Sequence, residues 1–241
     1  MKYRIGYHAR PFIFRTGFFY VLIIIGLPIL VLAQPPKWDV DIFRSINDSR
    51  TTFLNAAIGG NDNMVLPFAI AVPALFGGIG AAEKDAYTFD SGLMVGLSEV
   101  SAFAVYYVLK NVVVKRERPY VALSDVHTMH LDTADKYSMP SGHTTAAFAI
   151  ATALTLRYPK PYVYIPAFAW ATFVGYGRIY MGLHYPSDVL AGAILGSASA
   201  FAIHLISPQV TKWREKILGD DLGVQLAASP VPGLLNLRIS F

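Results

Sequence analysis

Cations, histidines and a carboxylate recur in three short clusters of an otherwise apolar chain. The first ends in KRERP (115–119), the second is PSGH (140–143), and the third is RIYMGLHYPSD (178–188). Arginine forks match phosphate oxygens two at a time, and lysine adds a compact charge. Free amides at a helix start, with a glycine that admits close approach, form a further anion site. These clusters predict a phosphate site whose binding residues are Lys110, Arg118, Ser141, Gly142 and Arg178.

Two histidines supply groups that phosphate binding alone does not need. His184 and Asp188 are four residues apart at a predicted helix start. The carboxylate is therefore expected to hold one ring nitrogen and leave the other free to attack phosphorus. His143 is expected to protonate the leaving oxygen and later to activate water. Because the cations would neutralise the phosphoryl transition state, we predict no metal ion and no other cofactor.

The composition places these clusters in a membrane protein. The 241 residues are 54% hydrophobic and only 15% charged, whereas about a quarter of a soluble domain is charged. The absence of cysteine excludes disulfides, thiolate metal sites and a cysteine nucleophile. The net charge of +4 fits loop charges and an anionic substrate, so we predict no nucleic-acid partner.

Apolar runs near the ~20 residues that cross ~30 Å of hydrocarbon predict an all-α, polytopic helical bundle of about six transmembrane helices. The fourth and fifth runs are marginal in length or purity. One membrane domain is predicted over 1–206, followed by a cytoplasmic tail over 207–241. The predicted spans are 16–33, 64–82, 93–114, 140–156, 162–181 and 186–206.

Charge asymmetry predicts how the spans are oriented. Lys2, Arg4, Arg10 and Arg15 precede the first span without an acidic residue, which places the N-terminus in the cytoplasm. The links 34–63, 115–139 and 182–185 then lie outside, so all three clusters share the outer face. Small residues at 31–34 also fit a signal-peptidase site, but the preceding run is longer than the usual ~7 to 15 residues and favours an uncleaved helix. The link between the first two spans has partly helical apolar spacing, typical of an interfacial amphipathic helix.

The three clusters, in this order, resemble the signature of the type 2 phosphatidic acid phosphatase superfamily, which includes lipid phosphatases, bacterial acid phosphatases and vanadium haloperoxidases. The resemblance covers residues 110–188 and extends to most of the chain through the six-span layout. It implies that His184 is a nucleophile that forms a phosphohistidine, Asp188 its partner and His143 the general acid. The remaining motif residues, Lys110, Arg118, Ser141, Gly142 and Arg178, are implied to bind phosphate.

The sequence departs from the family pattern at two points. Seven residues separate Lys110 from Arg118, where the family usually has six, and Asn111 stands where the lysine is expected. Seven steps on an ideal helix return a side chain to within about 20° and eight leave it about 80° away, so a one-residue bulge would restore the facing. Lys115 is the alternative. Gly177 replaces a serine that is common before the arginine.

Several other polar residues are predicted to be secondary. Lys115, Arg116 and Lys136 are interpreted as outer-loop charges that meet headgroups or substrate. A loop cluster that resembles a metal site is interpreted as solvated; it comprises Asp125, His127, His130 and Asp132. Glu99 lies inside the third span, where an ionisable group is costly and is expected to pair, line a cavity or be protonated.

The sequence therefore predicts a membrane enzyme that hydrolyses a phosphomonoester or diphosphate of a lipid, with its site at the outer leaflet. The family implies undecaprenyl diphosphate, phosphatidylglycerol phosphate, phosphatidate or lipid A 1-phosphate as substrate, and membrane lipids as partners. A bacterial inner membrane is expected, with both termini cytoplasmic. The alternatives are an anion-binding or lipid-phosphate transport protein without hydrolysis, and a vanadium-dependent haloperoxidase.

Overall fold

The computed structural model describes residues 34–129 and 135–219, together with the backbone of 224–228 and 235–239. The predicted first span, 16–33, lies outside the described residues. The helices of the described part are α1 (Lys37–Asn47), α2 (Thr52–Asp62), α3 (Val65–Glu83), α4 (Ala86–Val108), α5 (Pro119–Ala122), α6 (Gly142–Arg157), α7 (Pro161–Tyr180), α8 (Pro186–Leu205) and α9 (Ser207–Leu218).

Each of the five other predicted spans coincides with a helix, as the prediction of an all-α bundle requires. By length and apolar composition, three helices of the described part can cross a membrane: Val65–Glu83, Ala86–Val114 and Pro186–Leu205. The helices α6 and α7 pack between them around a core of small apolar residues that includes Ala147, Ala151 and Ala171. The third span begins at 86 rather than 93 because Asp85 caps α4, accepting a 3.0 Å bond from the Tyr87 amide.

Close helix packing brings the second and third clusters together. A Cβ atom placed on Gly192 of α8 would lie 2.6 Å from the Ser141 carbonyl oxygen at the start of α6. Only glycine leaves room for a backbone to approach this closely. Gly192 therefore lets α8 pack directly against the start of α6.

The helix α4 continues into a π-helix, Leu109–Val114. The amide of Lys115 donates to the carbonyl of Lys110, five residues earlier, at 3.3 Å. A π-helical turn holds one residue more than an α-helical turn, so it absorbs the additional residue between Lys110 and Arg118. The structure thus contains the bulge that the sequence spacing calls for.

The segment between the first two predicted spans forms α1 and α2, which cover the end of α7. Asn47 donates to the carbonyl oxygens of His127 and Tyr180 at 2.8 and 2.9 Å. Trp38 and Ile42 of α1 are about half exposed, whereas Phe43 is fully buried. The predicted amphipathic helix is therefore confirmed, and it lies at the same end of the bundle as the three clusters.

The residues after α8 begin with a helix that packs on the opposite end. Arg214 of α9 bonds to Asp90 of α4 through a 3.1 Å contact between Nε and Oδ1, and both side chains are buried. Beyond α9, β1 (Val224–Ala228) and β2 (Leu235–Ile239) form an antiparallel pair. The second strand matches the alternating pattern of LNLRI in the sequence.

Candidate active site

Arg118 and His184, from the first and third clusters, are in direct contact. One guanidinium nitrogen, Nη1, lies 3.2 Å from Nε2 of His184 and 2.9 Å from the Leu183 carbonyl oxygen. Because a guanidinium can only donate, Nε2 of His184 is the unprotonated nitrogen of a neutral ring. The nitrogen that is predicted to attack phosphorus thus lies next to Arg118, which is predicted to bind phosphate.

Lys110 completes a clamp with Arg118. Its Nζ lies 2.8 Å from Oδ1 of Asp135 and 3.1 Å from the Tyr106 hydroxyl, and Arg118 forms a short ion pair with the same Asp135 oxygen. Two buried cations therefore converge on one anionic oxygen, as they would on a phosphate oxygen. Lys115 is exposed, so the structure favours Lys110 over this alternative.

The Asp135 carboxylate is held in its charged form. Partial burial acts to raise its pKa, but the hydrogen bonds and charges of Lys110 and Arg118 outweigh burial and lower the pKa below its ordinary value. About half of this side chain is exposed. The clamp therefore contains an internal, solvent-accessible anion.

The PSGH cluster forms the start of α6. The predicted span begins at 140, whereas Ser141 is the N-cap of the helix and Gly142 its first residue. The first intrahelical donor is Thr145, whose amide lies 2.9 Å from the Ser141 carbonyl. The amides of Gly142, His143 and Thr144 are those that a helix start leaves without intrahelical partners. The Ser141 amide is not free, because it donates to the Asp188 carbonyl oxygen at 3.0 Å. The predicted anion site is therefore open to the amides of Gly142 and His143 but not to that of Ser141.

Gly142 faces the clamp. A Cβ atom at this position would lie 2.9 Å from the Tyr106 ring, and that tyrosine contacts Lys110. A larger residue would therefore displace a neighbour of Lys110. Glycine thus leaves the end of the Tyr106 side chain in place beside Lys110.

Arg178 and His143 meet at Asp62, the last residue of α2. Arg178 forms a short ion pair with Oδ1 of Asp62, and Nε2 of His143 lies 3.8 Å from the same oxygen. The His143 side chain is about a quarter exposed. The predicted general acid and the third cation thus share a carboxylate from the outer helices, which sequence spacing did not reveal.

The predicted pairing of His184 with Asp188 is close, although no hydrogen bond joins them. Nδ1 of His184 lies 3.6 Å from Oδ2 of Asp188, and that oxygen accepts a 2.8 Å bond from the Tyr185 amide. Catalytic hydrogen bonds are often long before substrate binds. The arrangement places a proton on Nδ1, towards the carboxylate, and the lone pair on Nε2.

Burial and nearby cations keep His184 neutral. Its ring is almost fully buried. Burial first, and then the positive charges of Arg118, Arg178 and Lys110, hold the pKa of His184 well below its ordinary value. The three cations that are predicted to bind phosphate therefore all act on the His184 ring.

A family model described as the PAP2 superfamily matches residues 91–212, half of the chain and all three clusters. The chain belongs to the PAP2 superfamily. An undecaprenyl-diphosphatase of Sulfolobus acidocaldarius is 34% identical over 110 residues, 44% of this chain and 52% of that protein. The chain spans about half the length, or less, of the first curated relatives that it matches.

Two solved structures share the fold. A transmembrane phosphatidylglycerolphosphate phosphatase from Bacillus subtilis has a TM-score of 0.62 and 25% identity, covering 83% of this chain and 98% of its own. The LpxE structure from Aquifex aeolicus has a TM-score of 0.57 and 27% identity, covering 70% and 96%. The predicted family and helical fold are confirmed.

An apolar groove leads from this PAP2 site between α3, α4 and α6. It has a volume of about 400 Å³, and its lining includes Leu66, Phe103, Tyr106 and His143. Glu99 also lines it, and one of its buried oxygens has no hydrogen-bond partner in the described part of the chain. Of the roles considered for Glu99, the structure supports lining a cavity.

One interpretation of the loop charges is wrong. Arg116 is not an outer-loop cation: 1% of it is exposed, and its Nη1 lies 2.7 Å from Oδ1 of Asp188. Lys115 and Lys136 are exposed as expected. The one sequence feature that could have indicated a role for Arg116 is its position in KRERP, two residues before Arg118. Its acidic partners, Asp39 and Asp188, lie far away in the chain.

The suspected metal cluster is not assembled among residues 34–129 and 135–219, where no group of three or more histidine and acidic side chains could hold an ion. The amide of His127 instead donates to Asn47 at 2.9 Å. His130 and Asp132 lie outside the described residues.

Proposed function

We propose that the protein is a membrane lipid phosphatase that hydrolyses a phosphomonoester or diphosphate through a phosphohistidine at His184. One observation carries the proposal: the buried ring of His184 lies within the fields of three buried cations, Lys110, Arg118 and Arg178, and its Nε2 is 3.2 Å from Nη1 of Arg118. A carboxylate lies behind the ring at 3.6 Å. A protein that only held an anion would need the cations but not this histidine and carboxylate pair.

The proposed reaction follows from the positions of the two histidines. Nε2 of His184 attacks phosphorus while the bond to the leaving oxygen breaks, and His143 gives that oxygen its proton. His143 then removes a proton from water, which attacks phosphorus and breaks the bond to His184. Lys110, Arg118, Arg178 and the amides at the start of α6 neutralise the equatorial oxygens in both steps. Asp188 stabilises the positive ring that forms during the attack.

The groove supports a lipid as the substrate. It is apolar, opens between helices and reaches His143 and Gly142, so a hydrocarbon chain can lie in it while the phosphate enters the clamp. The names of PAP2 relatives point to three lipid classes, namely undecaprenyl diphosphate, lipid A and phosphatidylglycerolphosphate. We propose a substrate of this group or phosphatidate. A lipid-facing groove has no use in halide oxidation, so we favour a phosphatase over a haloperoxidase.

We infer that the site faces the outer side of a bacterial inner membrane. The basic residues before the first span support a cytoplasmic N-terminus, and six spans return the C-terminus to the same side. The contact of Arg214 with Asp90 supports this arrangement, because it holds α9 at the end opposite the site.

The proposal is tested by phosphate release from the four lipids and from p-nitrophenyl phosphate, using purified full-length protein. We expect release from at least one lipid and a rate about tenfold or more lower on the soluble ester, which cannot use binding energy from the groove. His184→Ala is expected to lose about a thousandfold or more, whereas His127→Ala, outside the site, retains activity.

Three outcomes would contradict parts of this proposal. Full activity of His184→Ala would exclude the phosphohistidine route. Equal rates on the soluble ester would exclude lipid specificity. Binding of lipid phosphate by the wild-type protein without turnover would favour the transport or binding alternative.

A further inference from the structure

Arg116 is a buried cation between two buried carboxylates. Its Nη1 lies 2.7 Å from Oδ1 of Asp188 and its Nη2 lies 3.1 Å from Oδ2 of Asp39. Each of the three side chains is at most 1% exposed. The guanidinium also stacks over the Tyr185 ring, 4.8 Å from its centre, which completes its enclosure.

Asp39 ties this ion pair to the start of α8. Its Oδ1 accepts a 2.8 Å bond from the Ser187 amide, and its Oδ2 accepts a 2.5 Å bond from the Ser187 hydroxyl. The Ser187 hydroxyl in turn lies 2.6 Å from Nη1 of Arg116. The outer helix α1 therefore holds both Arg116 and the helical turn that carries Asp188.

The two oxygens of Asp188 have separate partners. Oδ1 accepts from Arg116, whereas Oδ2 accepts from the Tyr185 amide and faces Nδ1 of His184. The orientation of the carboxylate is thus set from the side away from His184.

Burying three charges is costly, and well-packed apolar residues hold helices together as effectively. Residues that hold a catalytic group in its productive position, by contrast, often change activity strongly when they are removed. The linked side chains of Asp39, Arg116 and Asp188 also lie behind a ring that becomes positive during the proposed attack.

We propose that Arg116, held in place by Asp39, is a positioning residue that pairs with Asp188 and keeps it directed at His184. This inference rests on the proposed phosphatase function. Arg116 acts through Asp188 and does not touch phosphate, so it contributes to the chemical step and not to binding. The titratable groups that face Asp188 are Arg116, Asp39, Tyr185 and His184.

The test compares Arg116→Gln with Arg214→Gln in purified full-length protein. Arg214 is an equally buried arginine in an ion pair at the opposite end of the bundle, so its loss matches the structural disturbance without reaching the site. For Arg116→Gln, we expect kcat per folded molecule to fall about 10- to 100-fold, with KM changed by less than about twofold.

The pH profile separates positioning from folding. Without the guanidinium, protonation of Asp188 becomes easier, so the acidic limb of kcat is expected to move to higher pH in Arg116→Gln. A smaller amount of folded protein lowers the rate at every pH but does not move the acidic limb of the pH profile. This is the result expected for Arg214→Gln.

Two results would overturn the inference. One is an unchanged kcat per folded molecule, and the other is a raised KM with unchanged kcat, which would make Arg116 a phosphate ligand. If Arg116→Gln does not fold, Asp39→Asn takes its place, with a smaller fall in kcat expected and an unchanged kcat as the contrary result. Turnover by the wild-type protein is measured first, so failure of the proposed function is distinguished from failure of this inference.

Discussion

Carboxylates accompany the three cations that are proposed to bind phosphate. Asp135 bonds to Lys110 and Arg118, and Asp62 bonds to Arg178. The carboxylates therefore balance the positive charge of the three cations before substrate binds. This lowers the free-energy cost of holding buried cations close together. A phosphate must displace or share these contacts, so the acidic residues are expected to tune affinity.

Asp135→Asn is predicted to lower KM for the lipid substrate by about 3- to 30-fold, because a competing charge is removed from two phosphate-binding cations. The depressed pKa of Asp135 means that it competes across the neutral range. Initial rates at varied lipid concentration measure this effect. Asp125→Asn, an exposed residue with φ of +56° that asparagine tolerates, is the control; an unchanged or raised KM in Asp135→Asn would contradict the prediction.

His184 is predicted to stay neutral at pH values where an ordinary histidine, with a pKa of about 6.5, is half protonated. A lowered pKa means that the neutral form persists to lower pH. An NMR titration of imidazole-labelled protein, with His184→Gln used to assign the resonance, measures the midpoint. A midpoint at or above that of an ordinary histidine would refute the prediction.

The motif residues could be predicted from the sequence because their types and order are local. Their acidic partners could not. Asp39 and Asp62 reach Arg116 and Arg178 across 77 and 116 positions, and nothing local distinguishes them from solvated carboxylates. Arg116 was misinterpreted for the same reason.

At the scale of single elements, the π-helix decides where Lys110 points. A π-helical turn holds one residue more than an α-helical turn, and this matches the one extra residue between Lys110 and Arg118. Lys110 therefore points towards Arg118, as the lysine would with the usual family spacing. The sequence spacing predicted a need for a bulge but not its position, since a π-turn at several points of the segment would satisfy it.

Deletion of one residue from the π-helix is predicted to be tolerated. Removing Val112 should convert the π-turn into an α-turn and leave Lys110 facing Arg118, so activity is expected to stay within about tenfold of wild type. Removing Val100, an equally exposed valine of α4, rotates the preceding part of the helix by about 100° and should abolish activity. Phosphate release is measured for both deletion variants. An equal loss of activity in the two would contradict the proposed role of the π-helix.

At the scale of the whole molecule, the candidate active site and the helix α9 lie at opposite ends of the bundle. One end carries the clamp, the histidines and the outer helices α1 and α2, and the other carries α9 with the Arg214 and Asp90 pair. Hydropathy and charge asymmetry predicted this division because they depend on composition over whole segments. The docking of α9 on α4 was not predictable, since it depends on a contact between residues 124 positions apart.

The proposed orientation is tested by cysteine labelling, which the cysteine-free chain makes straightforward. Ser124→Cys, on the exposed loop near the site, should react with a membrane-impermeant maleimide in intact cells or spheroplasts. Lys216→Cys in α9 should react only after the membrane is permeabilised. The reverse pattern would contradict the proposed sidedness.

The central claim, that His184 attacks a lipid phosphate, is tested most directly by trapping the intermediate. Protein mixed with a ³²P-labelled lipid phosphate and quenched rapidly in alkali should carry an alkali-stable, acid-labile label that peptide mapping assigns to His184. His184→Ala should carry none and should release no phosphate. Label on another residue, or turnover by His184→Ala, would contradict the account.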